Sequence, residues 1–306
     1  MSLKPRLFRW LWRLPVLAMA GYVFWVAVPA YRQRLVVSEF QQLPKRVSLE
    51  EHGPKWLREQ IGGVALDMIY AAAYVDRRKS RVCFSGSQVG NDDLDILRSL
   101  VSIESIEFFD CQITDVGLSR LKRNPELEAI WLDRMAITDD GLRVFRSLPN
   151  VRYLFLKNSP LTDDCMVHLN HLNRLENLEI INTQIGDAGI LRLPDQPALE
   201  LLDLRGRGIT GRSLERFAAS RQLFSVTLCE TNVDDDGLRY LRDLGRMKRL
   251  SLRATKVTDA GLQHLRGLKS LVYLNLYDTV VTDAGVATLQ QALPGTRINV
   301  SVKTNH

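Results

Sequence analysis

Cysteine and histidine are scarce in this sequence, with four of the first and five of the second in 306 residues. That scarcity removes most of the side chains from which a zinc centre or a disulfide framework is built. A glycine-rich phosphate loop and a G-x-S-x-G nucleophile turn are also missing, and neither His52 nor His264 has a nucleophile context. The expectation is a non-enzyme with no catalytic residue, no metal and no cofactor.

Acidic residues are nearly absent from the first 46 positions. Eight basic residues there face one acid, Glu39, a net +7, so the remainder of the chain carries −1 of the overall +6. A nucleic-acid footprint needs its positive charge on the folded body, and this chain has it on a tail. Nucleic acid is therefore not an expected partner. Inside that basic head lies "LPVLAMAGYVFWVAVPAY", residues 14–31, eighteen positions without a charge and with Trp12, Trp25 and Tyr31 near the ends. As a helix it reaches about 27 Å, close to the thickness of a hydrocarbon core, and the aromatics suit the two interfaces. It reads as a single transmembrane anchor, the alternative being a cleaved signal peptide with Val28-Pro29-Ala30 at the cleavage site. The basic flank at Lys4, Arg6, Arg9 and Arg13 favours a cytoplasmic N-terminus, which puts the rest outside the cytoplasm; secretion after cleavage and a cytoplasmic-facing body remain the alternatives.

Insertions are what the remaining chain lacks most conspicuously. Frames of 24 residues starting at 79, 103, 127, 151, 175, 199, 223, 247 and 271 align without a gap, nine copies filling 79–294. Positions four and six of each frame are apolar, as in Leu154/Leu156 and Leu274/Leu276, and a spacing of two is a short strand with one buried face. Position eleven is always Val, Ile or Leu. Positions sixteen and nineteen are apolar again, as in Leu238/Leu241 and Leu262/Leu265, which marks a short helix with one inward side.

Between strand and helix stands a recurring phrase, "VTDAG" at 257–261 and again at 281–285. Thr258 and Thr282 fall where a helix N-cap belongs, and Asp259 and Asp283 lie in the first turn, where free N–H groups favour a carboxylate. Glycine recurs three residues after the threonine, at Gly117, Gly141, Gly189, Gly237, Gly261 and Gly285, and is expected to let neighbouring helices pack closely. Two frames depart from the pattern. In 199–222 the phrase becomes "GITGRSL", with Gly211 for Asp and Ser213 for Gly; in 175–198, Pro194 and Pro197 are expected to end the helix early.

The pattern "LxxLxLxxTxVTDxGLxxL" resembles leucine-rich repeats of the helix-containing, cysteine-containing type, with Thr183, Thr231, Thr255 and Thr279 in the slot that Cys111 alone fills as cysteine. The resemblance implies an α/β fold: a right-handed horseshoe solenoid, parallel strands lining the concave face and short helices the convex one. The whole plan is similar to bacterial membrane-anchored leucine-rich-repeat proteins, and implies protein interaction without an enzymatic activity. It divides the chain into a basic tail (1–13), an anchor or signal (14–31), a juxtamembrane stalk (32–53), an N-terminal cap (54–78), nine repeats (79–294) and a capping strand with tail (295–306).

Two motifs resemble ligand sites. "CMVHLNH" spaces Cys165, His168 and His171 by three, but steps of three drift around a helix and no fourth ligand follows. The plain reading is a packed Cys165 in the glycine slot and two solvated histidines. Asp234, Asp235 and Asp236 repeat the capping phrase and lack the alternating ligands of a calcium loop. The cysteines fall at four different frame positions, so they are read as free thiols.

Binding is expected where the repeats differ. Positions three, five and seven face away from the core, and across neighbouring strands they gather two clusters: Phe109, Trp131, Tyr153 and Phe155, and then Arg249, Arg253, Tyr273 and Tyr277. Aromatic residues and arginine dominate interface hot spots, although aromatics also simply favour strands. The reading is a binding module for a protein or peptide; a self-associating envelope protein and a cell-wall or carbohydrate binder are the alternatives.

Overall fold

The computed structural model describes residues 47–49, 80–98 and 103–300. Ten parallel strands lie side by side in chain order in one open sheet: β2 (Ser80–Ser85), β3 (Ile103–Phe109), β4 (Ala129–Asp133), β5 (Tyr153–Lys157), β6 (Asn177–Ile181), β7 (Leu201–Arg205), β8 (Ser225–Thr227), β9 (Arg249–Ser251), β10 (Tyr273–Leu276) and β11 (Arg297–Val300). Register follows the sequence period, each residue standing beside the one 24 positions on, as in Ile130 beside Leu154 and Leu154 beside Leu178. An eleventh strand, β1 (Val47–Leu49), pairs antiparallel with β2. That strand comes from the stretch assigned to the stalk, and it covers the sheet edge that β2 otherwise presents to water. The basic tail, the span at 14–31, the cap at 54–78 and the rest of the stalk lie outside the described residues. Among those described, no helix is long and apolar enough to cross a membrane.

The core is one apolar column running the length of the stack. In the frame at 151, Leu154, Leu156, Leu161, Met166 and Leu169 are all fully buried, and the equivalent positions repeat this from frame to frame. Phe84 and Phe108 stack in it at 5.4 Å between ring centres. Burying each leucine contributes roughly 2 kcal/mol before conformational entropy is set against it.

Each coil must then turn sharply from strand to helix. Position eight makes that turn in the left-handed region in every frame: Asp110, Arg134, Asn158, Asn182, Glu230, Ala254 and Asp278 have φ between 48° and 60°, and Gly86 and Gly206 take the same slot. Its N–H extends the sheet ladder by one rung, as in Ala254 to Tyr277 O at 2.8 Å and Arg134 to Lys157 O at 3.1 Å. For a residue with a Cβ the left-handed conformation costs about 1–2 kcal/mol, part of which glycine returns as chain entropy. Ala254→Gly is therefore expected to raise stability by about 0.5 kcal/mol, measured as an upward shift of the urea midpoint.

The capping phrase works differently from expectation. Thr258 and Thr282 do cap their helices, accepting from Ala260 N–H and Gly285 N–H. The aspartates, however, reach into the next repeat. Asp235 accepts from Thr258 N–H at 2.7 Å and from its hydroxyl at 2.6 Å, and Asp259 takes Thr282 in the same way. Asp115 to Thr138, Asp139 to Thr162 and Asp187 to Thr210 complete the series, while Asn91 does the same job for Thr114 with one acceptor and one donor. Glycine follows because the carboxylate occupies its side-chain space: a Cβ on Gly261 would stand 2.3 Å from Asp235 Oδ1. The phrase is a clamp between coils, two hydrogen bonds at each Asp–Thr joint; where Gly186 replaces the threonine, only its N–H bond to Asp163 Oδ1 remains, at 2.7 Å.

One joint lacks it. Gly211 stands where the aspartate belongs and Asp234 where the threonine does, so Asp234 caps its own helix through Gly237 N–H instead. Ser213, in the glycine slot, donates to Asp187 Oδ1. With the carboxylate gone, Gly211 and Gly237 pack backbone to backbone, and a Cβ on either would meet the other's Cα at about 2.5 Å. The helix before it, Asp187–Ile190, ends well short of Pro194.

Candidate binding face

The face of the sheet opposite the helices carries the variable residues, and parallel in-register pairing sets them shoulder to shoulder about 4.8 Å apart. Trp131 stands directly beside Phe155, and their rings stack at 4.0 Å with planes 7° apart. Lys157 Nζ sits 5.4 Å from the Phe155 ring centre while bonding Glu179 Oε2 at 2.6 Å. Phe155 is consequently only 6% exposed. It lies beside Trp131 as its stacking partner, with little of its own surface open. Trp131 keeps the accessible part.

Tyr153 belongs to a separate network. Its hydroxyl donates to Glu176 Oε2 at 2.8 Å, and the Arg152 guanidinium lies 5.5 Å from its ring centre while binding Glu176 and Glu128. Burial first, then the neighbouring Glu176 carboxylate, pushes the tyrosine hydroxyl above its ordinary range, and the same carboxylate holds Arg152 charged. Phe109 is half-buried between its register partners Ser85 and Asp133. The first cluster thus resolves into the Trp131–Phe155 pair, the Tyr153 network and Phe109 at its rim.

The second cluster also divides. Arg249 is exposed beside its register partner Tyr273, whose hydroxyl accepts from Asn299 Nδ2 at 3.1 Å. Arg253 binds Glu230 and lies 3.7 Å from Asp278, both in the turns, and Tyr277 is 42% exposed.

A row that the sequence reading passed over runs along the strand entries. Position two places Glu104, Glu128, Arg152, Glu176 and Glu200 in line, joined through the backbone by Glu128 N–H to Glu104 O, Arg152 N–H to Glu128 O, Glu176 N–H to Arg152 O and Glu200 N–H to Glu176 O, each at 2.8 to 2.9 Å. Its signal is the 24-residue recurrence of glutamate at position two, which lies outside the alternation that marks the strands.

On the helix side, Cys165 is fully buried in the glycine slot and its thiol is pushed far up by burial, with Asp139 and Asp163 adding to it. His168 and His171 are not solvated as expected. His168 is buried, its pKa lowered by burial and then by Arg146 and Arg143, and His171 Nε2 sits 2.7 Å from Phe145 O. Among the described residues no group of histidine, cysteine, aspartate or glutamate is placed to hold a metal ion, and the four cysteines are free. Cys111 donates to Phe84 O and Phe109 O, and burial pushes its thiol up to about 11. An open cleft of about 360 Å³ lies at the unclamped joint, between Arg212, Glu215, Asp236 and Tyr240, on the side away from the aromatic stack.

No family model matches the chain, and no curated protein does. Among solved structures it is similar to an internalin C2 from Listeria monocytogenes, at 19% identity and a TM-score of 0.48, over 69% of this chain and 84% of that one.

Proposed function

We propose that the chain is a non-catalytic binding module that takes a protein or peptide on the open face of its sheet, held at a membrane through residues 14–31. The observation that carries the reading is the Trp131–Phe155 stack, in which Phe155 is buried and Trp131 is half-buried, its open part offered to a partner. A flat aromatic surface fixed by its own neighbours loses little side-chain freedom on binding, so more of its contact area is expressed as affinity. The surrounding ion pairs hold the rows in place. A sugar platform is a weaker reading, because Tyr153 is tied into its own network and Phe155 is covered.

Affinity capture with the full chain tests this. Trp131→Ala is expected to weaken capture of a specific partner at least tenfold, and Arg253→Glu to weaken it less, because Arg253 is occupied by Glu230 and Asp278. An unchanged set of partners for both variants sinks the open-face reading. A set of nothing but further copies of this chain favours the envelope-protein alternative.

A further inference from the structure

The open face is electrically divided along its length. Counting positions two, three, five and seven, the frames of β2 to β7 carry eight carboxylates against four cations, a net −4, and the frames of β8 to β11 carry no carboxylate against four cations, a net +4. Internal pairing does not erase the acidic pole. Arg81 takes Glu107, Arg152 bridges Glu128 and Glu176, Lys157 takes Glu179 and Arg205 takes Asp203, which uses every cation there. Glu104 and Glu200, at the two ends of the strand-entry row, have no cationic partner among the described residues. At the other pole Arg253 is drawn to the turn carboxylates, while Lys248, Arg249 and Arg297 have no acidic partner among the described residues.

A second observation points to an occupant of the acidic pole. Ser105 and Asn177 project from position three beside that row, 3% and 8% exposed, and Ser105 Oγ and Asn177 Oδ1 have no hydrogen-bond partner. Buried acceptors without donors are costly, and the strands on either side already spend their own N–H groups in the ladder. Both atoms are covered in the free chain, so a donor-rich side chain arriving from outside, ammonium or guanidinium, meets Glu104 and Glu200 first and reaches these acceptors by displacing the neighbours that cover them.

We propose that the occupant of this face is a polypeptide segment of opposite polarity, rich in Lys and Arg where it crosses β3 to β7 and acidic where it crosses β9 to β11. The inference rests on the binding-module reading and specifies its partner. The centres of the two poles are five strand spacings apart, about 24 Å, which an extended chain crosses in about seven residues. A second copy of the same sheet is the competing occupant, and the dimerisation arm of the test below decides against it or for it.

Two 16-residue peptides of identical composition test it, one with eight basic residues followed by eight acidic ones and the other with the signs alternating. Both are titrated by fluorescence anisotropy against the full chain in an uncharged detergent. The divided peptide is expected to bind at least tenfold more tightly, and to lose that margin in 0.5 M salt, where the screening length falls to roughly 4 Å. The variant Glu104→Lys/Glu200→Lys is expected to remove the preference while leaving the unfolding transition unchanged, since both side chains are at the rim. Equal affinity for the two peptides overturns the proposal, as does concentration-dependent dimerisation that the same variant abolishes. Capture by the Trp131→Ala chain uses neither peptide, so it judges the binding reading independently.

Discussion

Gly237→Ala is expected to destabilise the stack by about 3 kcal/mol and to split one unfolding transition into two. The new methyl group would meet Gly211 Cα at 2.4 Å, a backbone atom that no rotamer change can move aside. Inserting a methyl into a closed contact ordinarily costs 1 to 3 kcal/mol, and a backbone obstacle puts this case at the upper end. The position also matters because stability in a repeat array is a sum of coil terms and joint terms, and weakening one joint uncouples the coils on either side. This joint has no Asp–Thr clamp to share the load. Gly245→Ala is the control: nothing stands within 4 Å of its added Cβ, so it is expected to change stability by less than about 0.5 kcal/mol. Urea unfolding of the full chain followed by circular dichroism reads both. A single transition for Gly237→Ala at the parent midpoint would mean that the two glycines are not in contact.

The same joint shows what a repeat sequence discloses and what it conceals. Positions four, six, eleven, sixteen and nineteen were legible because burial selects one residue class, and Leu154, Leu156 and Leu161 are where periodicity puts them. The left-handed turn at position eight was not legible, since Asp110, Arg134, Glu230 and Ala254 share a backbone angle and no side-chain property. The clamp was half legible. Threonine, aspartate and glycine recur as types in most frames, but a strict period cannot tell a bond within a coil from one to the next coil, and the aspartate makes the second kind. Knowing the pairing, the departures at 211, 213 and 234 become one correlated change: losing the acceptor at 211 removes the need for a donor at 234.

The open face of the sheet was legible as a set of positions but not as exposures. Alternation placed Trp131, Phe155 and Tyr153 on the open side, yet it says nothing of what lies over each ring. Lys157 and Trp131 close over Phe155, and the Tyr153 hydroxyl bonds Glu176 directly. Likewise His168 and His171, solvated by simple helix reasoning, are drawn in by the neighbouring coil, since the histidine at 171 finds a carbonyl 26 residues earlier. Apart from Lys157 over Phe155, contacts between coils decide these cases, and they sit about one period away in sequence.

Asp139 offers the cleanest measure of what such contacts contribute. Asp139→Ala removes the acceptors of Thr162 N–H, at 2.8 Å, and of its hydroxyl, at 2.5 Å, leaving a backbone donor in a half-buried joint with nothing to bond. Hydrogen bonds to a charged group are worth about 1.5 to 3 kcal/mol, and the loss is expected to be about 2 kcal/mol. Asp139→Asn should cost less than half of that. Asn91 already serves the first joint as an amide, its Oδ1 accepting from Thr114 N–H at 3.0 Å and its Nδ2 donating to the hydroxyl at 3.0 Å. Only the hydroxyl's direction reverses, and a free rotor reverses without strain. If the alanine and asparagine variants unfold at the same urea concentration, the clamp contributes through charge alone, and the geometry shared by Asn91 and Asp139 is incidental. If asparagine unfolds close to the parent, the joint is held by directed hydrogen bonds, and the repeated Thr-Asp pair is explained as a bond between coils.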